Sequence, residues 1–183
     1  MNFPPRLVAV ALTFLLACAA SVRADEVEEV NRMFQGSQQQ EALARADKYL
    51  TAQPRDARMR FLRGVILTEV RRTDDAIDAF QHLVEDFPEL PEPYNNLAVI
   101  YAQRGEYGRA REALETAVRN NPRYATAQEN LGDVYVQLAR EAYARALEGG
   151  GAGDPSASDK QLARKLSLTR ELLAQGSGTG ISP

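Results

Sequence analysis

The chain holds one histidine, His82, and one cysteine, Cys18, and those two counts bound the chemistry open to it. A nucleophile and base of the Ser–His–Asp or Cys–His kind must recruit His82. Gln81 and Leu83 flank it on a helical pattern without any motif, which reads as a surface histidine with no assigned work. One cysteine makes no internal disulfide, and cages of Cys and His need more ligands than this sequence owns. The acid pairs Glu28-Glu29 and Asp74-Asp75 read as helix starts and solvated faces. A glycosidase dyad would need a cleft to hold two such carboxyls. Gly149-Gly150-Gly151 follows a helical pattern and precedes no strand, so it is not a phosphate-binding loop. The residues assign no catalytic group, no metal site and no cofactor, and the expectation is a protein that is not an enzyme.

Composition points the same way. The chain has 183 residues, 44% of them hydrophobic but only 7% aromatic, with no Trp. That length is ample for a packed core. A net charge of −3 lacks the basic face that a nucleic acid would need.

The first two dozen residues differ from the rest. Arg6 precedes an apolar run from Leu7 to Ala17, too short for the roughly 20 residues of a membrane-spanning helix and suited to a signal peptide. Val22-Arg23-Ala24 then offers a cleavage site, with Asp25-Glu26 after it. The expectation is an exported, periplasmic protein with a signal peptide over 1–24. The alternative lies in Leu15-Leu16-Ala17-Cys18, which resembles a lipobox and would tether the chain to the outer membrane through Cys18. Removing residues 1–24 takes away Arg6 and Arg23 and no acid, which moves the net charge from −3 to −5.

Beyond the leader the chain repeats. Pro54, Pro88 and Pro122 stand 34 residues apart, and Ala42, Ala76 and Ala110 keep the same interval. Around these anchors apolar residues recur at helical spacing: Phe61, Val65 and Leu67 on one helix, Ala76, Ile77, Phe80 and Leu83 on the next. Thr73-Asp74-Asp75 between them offers an N-cap with acids in the first turn. This pattern resembles the tetratricopeptide repeat family. Residues 91–124 carry it most fully, with Tyr94, Leu97, Ala98, Tyr101, Gly105, Ala110, Leu114, Ala117 and Pro122. Residues 57–90 follow with Gly64, Leu67, Ala76, Phe80 and Pro88, and residues 25–56 more weakly with Val30, Ala42, Tyr49 and Pro54. Arg60 and Tyr94 stand where the family has its Trp.

The resemblance implies an all-α solenoid of antiparallel helix pairs, each unit burying its apolar face against the next. Gly64, Ala98 and Gly132 are expected to be small because the two helices of a unit cross there. The fourth unit, 125–148, departs from the pattern. Ala139, Tyr143, Ala146 and Leu147 read as counterparts of Ala110, Leu114, Ala117 and Val118 once five turn residues are missing. From Val136 to Ala146 no Gly, Pro, Asn or Asp breaks the helix, so the spacing predicts one long fused helix. A Gly/Ser-rich linker over 149–158 follows. Then a capping helix over 159–175 begins after Ser158, with Leu162, Leu166, Thr169 and Leu173 on one stripe, and a disordered tail spans 176–183.

What remains is a surface. In the family the first helix of each unit lines a concave groove that holds a partner segment. By position the groove takes Arg58, Phe61, Val65 and Glu69 from one unit, Glu92, Asn95, Val99 and Gln103 from the next, and Glu129, Asp133 and Gln137 from the fourth. Asn96 and Asn130 stand where carboxylate-gripping members have Asn, but the accompanying basic residues are missing and Glu92 and Glu129 lie close by. The sequence therefore predicts an adaptor or scaffold of the bacterial envelope. Its partner is another envelope protein or peptide segment, with some positive charge to match the groove's acids. No nucleic acid is expected, a membrane is involved only if Cys18 is lipidated, and self-association through exposed ends is a further option. The alternative is an outer-membrane lipoprotein that works as an assembly or pilotin-like factor.

Overall fold

The computed structural model describes residues 26–149 and 157–176, which form eight α-helices and no strand. They are α1 (residues 26–35), α2 (Gln39–Ala52), α3 (Ala57–Glu69), α4 (Thr73–Asp86), α5 (Pro91–Gln103), α6 (Tyr107–Asn120), α7 (Ala125–Gly149) and α8 (Ala157–Gly176). The leader with Cys18, residues 150–156 of the linker, and the tail from 177 lie outside the described residues. The chain divides into two compact units, one through Ala79 and one from Phe80, with the division inside α4.

The repeat is written into the turns. Ser37, Arg71 and Gly105, each 34 residues after the last, have φ of +63°, +63° and +76°. At each, the next residue's N–H reaches back across the turn: Gln38 to Met33, Arg72 to Leu67, and Glu106 to Tyr101, at 2.8–3.0 Å. That bond closes the helix end and satisfies a carbonyl that would otherwise lack a partner. The second turn of each unit repeats as well. Gln53, Phe87 and Asn121 donate to Tyr49, Leu83 and Ala117 at 2.9–3.0 Å, and a proline follows each, where the helix cannot continue.

In the first unit Val30, Ala42, Ala46, Met59, Ile66 and Leu67 are fully buried. Asp56 caps α3: its Oδ1 accepts from the Met59 N–H at 3.0 Å, and its Oδ2 accepts from the Tyr49 hydroxyl at 2.9 Å. Arg45 ties α2 to α1, donating to Glu26 at 2.8 and 3.2 Å. In the second unit Phe80, Leu83, Ala98, Ala110, Leu114, Ala117, Ala127 and Val134 form the core. Tyr101 is buried at the α5–α6 turn, where its hydroxyl accepts from Arg109 Nη2 at 2.8 Å and Gln81 Nε2 at 3.2 Å.

The fourth unit is the fused helix that the missing turn predicted: α7 runs unbroken for 25 residues. α8 packs against α7 and buries Leu166 and Thr169. Two expectations about local chemistry fail. Ser158 lies inside the first turn of α8 and Thr73 is already the first residue of α4, so neither precedes its helix as a cap must. Gly132 is exposed, and a Cβ built on it meets nothing within 4 Å. The second half of α7 continues straight, so the crossing that makes Ala98 small has no equivalent at Gly132.

Candidate partner-binding face

The positions assigned to a groove fall on both units. In the first, Arg58 and Glu69 are exposed on α3, with Phe61 and Val65 half-buried between them. The Arg58 guanidinium pairs with Glu28 at 3.2 Å, a surface contact worth about 0–1 kcal/mol.

In the second unit the face is built from α5 and α7. Asn95 is fully buried, and its Oδ1 accepts a 2.8 Å hydrogen bond from the Asn130 amide. The side chain fastens α5 to α7 and lies inside, not on the exposed face where the groove reading placed it. Val99, also assigned to the groove, is only 3% exposed. Asn96 is also inside, its amide donating to the Glu92 carbonyl one turn back at 3.0 Å. Both asparagines at the carboxylate-gripping positions therefore serve packing. The pair Asn95 and Asn130 stand 35 residues apart, one more than the repeat, so the period gave no signal that they meet.

Around this buried bond the exposed rim is acidic. Glu92 on α5 and Glu129 on α7 are exposed, Asp133 lies one turn beyond Glu129, and Gln103 is exposed at the end of α5. Burial, and secondly the Glu129 carboxylate, push the Asp133 carboxyl above its ordinary value. Burial, and then Glu92, push the Tyr124 hydroxyl up in the same way. Tyr124 was not foreseen as part of this face, because it sits in a turn ahead of the helix. Gln137, half-buried further along α7, has a buried Oε1 that accepts no hydrogen bond. Such an arrangement has acceptors and negative charge to offer. Among the described residues no group of three His, Cys, Asp or Glu could hold a metal ion, and His82 is exposed on α4.

The model of the tetratricopeptide repeat matches residues 34–91, and a second model for the repeat matches residues 100–138. The chain belongs to the tetratricopeptide repeat family. No curated protein matches it significantly. Among solved structures, the crystal structure of a MamA protein is similar at a TM-score of 0.58 and 21% identity, over 81% of this chain and 80% of that one. MamA from Desulfovibrio magneticus RS-1, from residue 41 on, aligns at 0.56 and 17%, over 82% and 75%. Naa15, solved with Naa10 and bound to HypK, aligns at 0.55 and 16% over 82% of this chain but 23% of its own. These likenesses show the tetratricopeptide fold, an α-solenoid, and the repeats support a protein–protein interaction scaffold.

Proposed function

We propose that the chain is a non-catalytic adaptor or scaffold of the bacterial cell envelope, which holds a positively charged segment of another envelope protein on the α5–α7 face. The observation that carries this reading is the Asp133 carboxyl, desolvated and crowded by Glu129 on a rim that also holds Glu92. A cation brought to this rim relieves the repulsion, and an acidic or neutral segment does not. Naa15 supplies a precedent for the fold in contact with a protein partner. Glu129, Asp133, Glu92 and Gln103 make the contacts from the second unit, and Arg58, Phe61, Val65 and Glu69 offer a second surface on α3.

The test is fluorescence anisotropy with labelled Lys/Arg-rich and Asp/Glu-rich peptides, alongside cross-linking in the native envelope. Basic peptides should bind, more weakly as salt rises. The triple variant Glu92→Gln, Glu129→Gln, Asp133→Asn should lose at least about tenfold in affinity, the effect of about 1.4 kcal/mol. Equal binding of both peptide classes, or an unaffected triple variant, would sink the proposal.

Residues Leu15 to Cys18 favour a second reading, in which the same scaffold is an outer-membrane lipoprotein that acts as an assembly or pilotin-like factor. The intact mass of the protein from its native envelope separates an acylated start at Cys18 from a start at Asp25.

A further inference from the structure

The last helix carries a row of side chains that its own packing leaves outside. α8 packs on α7 and buries Leu166 and Thr169 there. Lys160, Arg164, Leu168 and Leu172 stand four residues apart, so they line up along one side of the helix. All four are exposed, Leu168 by 49% and Leu172 by 56%. A leucine exposed singly is ordinary, but two on adjacent turns form an apolar patch. Among the described residues Tyr135 is the one other large hydrophobic side chain so exposed, and its hydroxyl has a partner in Glu115 at 3.0 Å.

The charge beside this patch also differs from the rest of the chain. Residues 26–149 carry five more acids than bases, whereas α8 carries two more bases than acids. Arg32, Arg45, Arg72 and Arg109 each form an ion pair with a carboxylate. Among the described residues Lys160 and Arg164 form none. Lys165 flanks the row, 5.6 Å from the Tyr143 ring centroid, and Glu171 is an acid alongside.

We infer that this row is a docking surface for an anionic lipid bilayer, with α8 lying flat in the headgroup layer. Leu168 and Leu172 enter the boundary between headgroups and acyl chains, and Lys160 and Arg164 meet the lipid phosphates, with Lys165 beside them. An anionic bilayer matches the cations and takes the leucines, so one partner answers both features. A helix surface is convex and offers a peptide no groove, whereas a bilayer asks for none. The contact is peripheral: among the described residues no helix is long and apolar enough to cross a membrane. It is also distinct from the acidic rim, which calls for a cation where this row calls for an anion.

Co-sedimentation with vesicles tests the assignment. The chain from Asp25 keeps all eight described helices and omits the apolar run from Leu7 to Ala17, which would bind lipid by itself. Vesicles with about a third phosphatidylglycerol should retain it, less so as salt rises, and vesicles of phosphatidylcholine alone should not. The double variants Lys160→Gln, Arg164→Gln and Leu168→Gln, Leu172→Gln change exposed side chains, so the helical circular dichroism should stay the same. Each should lower the partition onto anionic vesicles at least about tenfold, in the chain from Asp25 and in the full chain. Arg55→Gln with Arg123→Gln removes as much charge from exposed positions elsewhere and should leave the partition within about twofold. Empty anionic vesicles, equal binding to both lipids, or full binding by either α8 variant would each overturn the assignment. An Asp/Glu-rich peptide bound through the row in place of vesicles would overturn it too, in favour of an acidic protein.

Discussion

Asp133 binds its proton more tightly in the folded chain than in the unfolded one, because burial and Glu129 both disfavour its charge. Stability from this group is therefore present at low pH and is lost as pH rises through the raised value. At neutral pH the ionised carboxylate costs stability. Asp133→Asn should accordingly raise the urea midpoint near neutral pH. The advantage should fade below about pH 3, where the acid is protonated in both states. Urea titrations of wild type and variant at both pH values check this, and a pH-independent difference would contradict it. A few residues away, Asn95 and Asn130 show polarity put to another use. Their buried amide bond contributes about 1 kcal/mol and sets α5 against α7, although the position of Asn95 in the repeat placed it in the groove.

At the scale of elements the left-handed turns decide how the units form. Gly105 takes φ of +76° at no steric cost, but Arg71 takes +63° with a side chain that crowds its own carbonyl. Arg71 is exposed and its turn is otherwise the same as that of Gly105, so Arg71→Gly should stabilise the chain by about 1 kcal/mol. Chemical denaturation reads this directly, and a loss of stability would mean that the Arg71 side chain does more than occupy the turn. The 34-residue period and the glycine made one of these turns visible in advance. Ser37 and Arg71 carried no such mark, because their conformation is imposed by the flanking helices and not by their own preference.

At the scale of the whole molecule, a repeat array must end somewhere without leaving an apolar face open. α8 does this for α7, with Leu166 9% and Thr169 8% exposed, although Leu168 and Leu172 on its other side stay about half exposed. Truncation after Glu148 should cost about 2–5 kcal/mol, the loss of one or two buried leucine side chains. Thermal melts would show this as a midpoint several degrees lower. An unchanged melt would mean that α8 is an appendage and not a cap.

The sequence by itself determined the helices, their pairing and the fused fourth unit. Each of these follows from local causes: prolines 34 residues apart, alanines at the same interval, and a stretch from Val136 to Ala146 with nothing to stop a helix. Only the tertiary structure decided which side chains face outward. Asn95 and Val99 sit on the helix that lines the expected groove, yet both lie inside, and Asn95 is held there by Asn130 of α7. Gly132 and Ala98 occupy the same place in the repeat, but one is open and the other sealed, because a helix follows back over Ala98 and runs straight on past Gly132. Exposure belongs to the neighbour as much as to the residue, and a neighbour is fixed by how the chain turns.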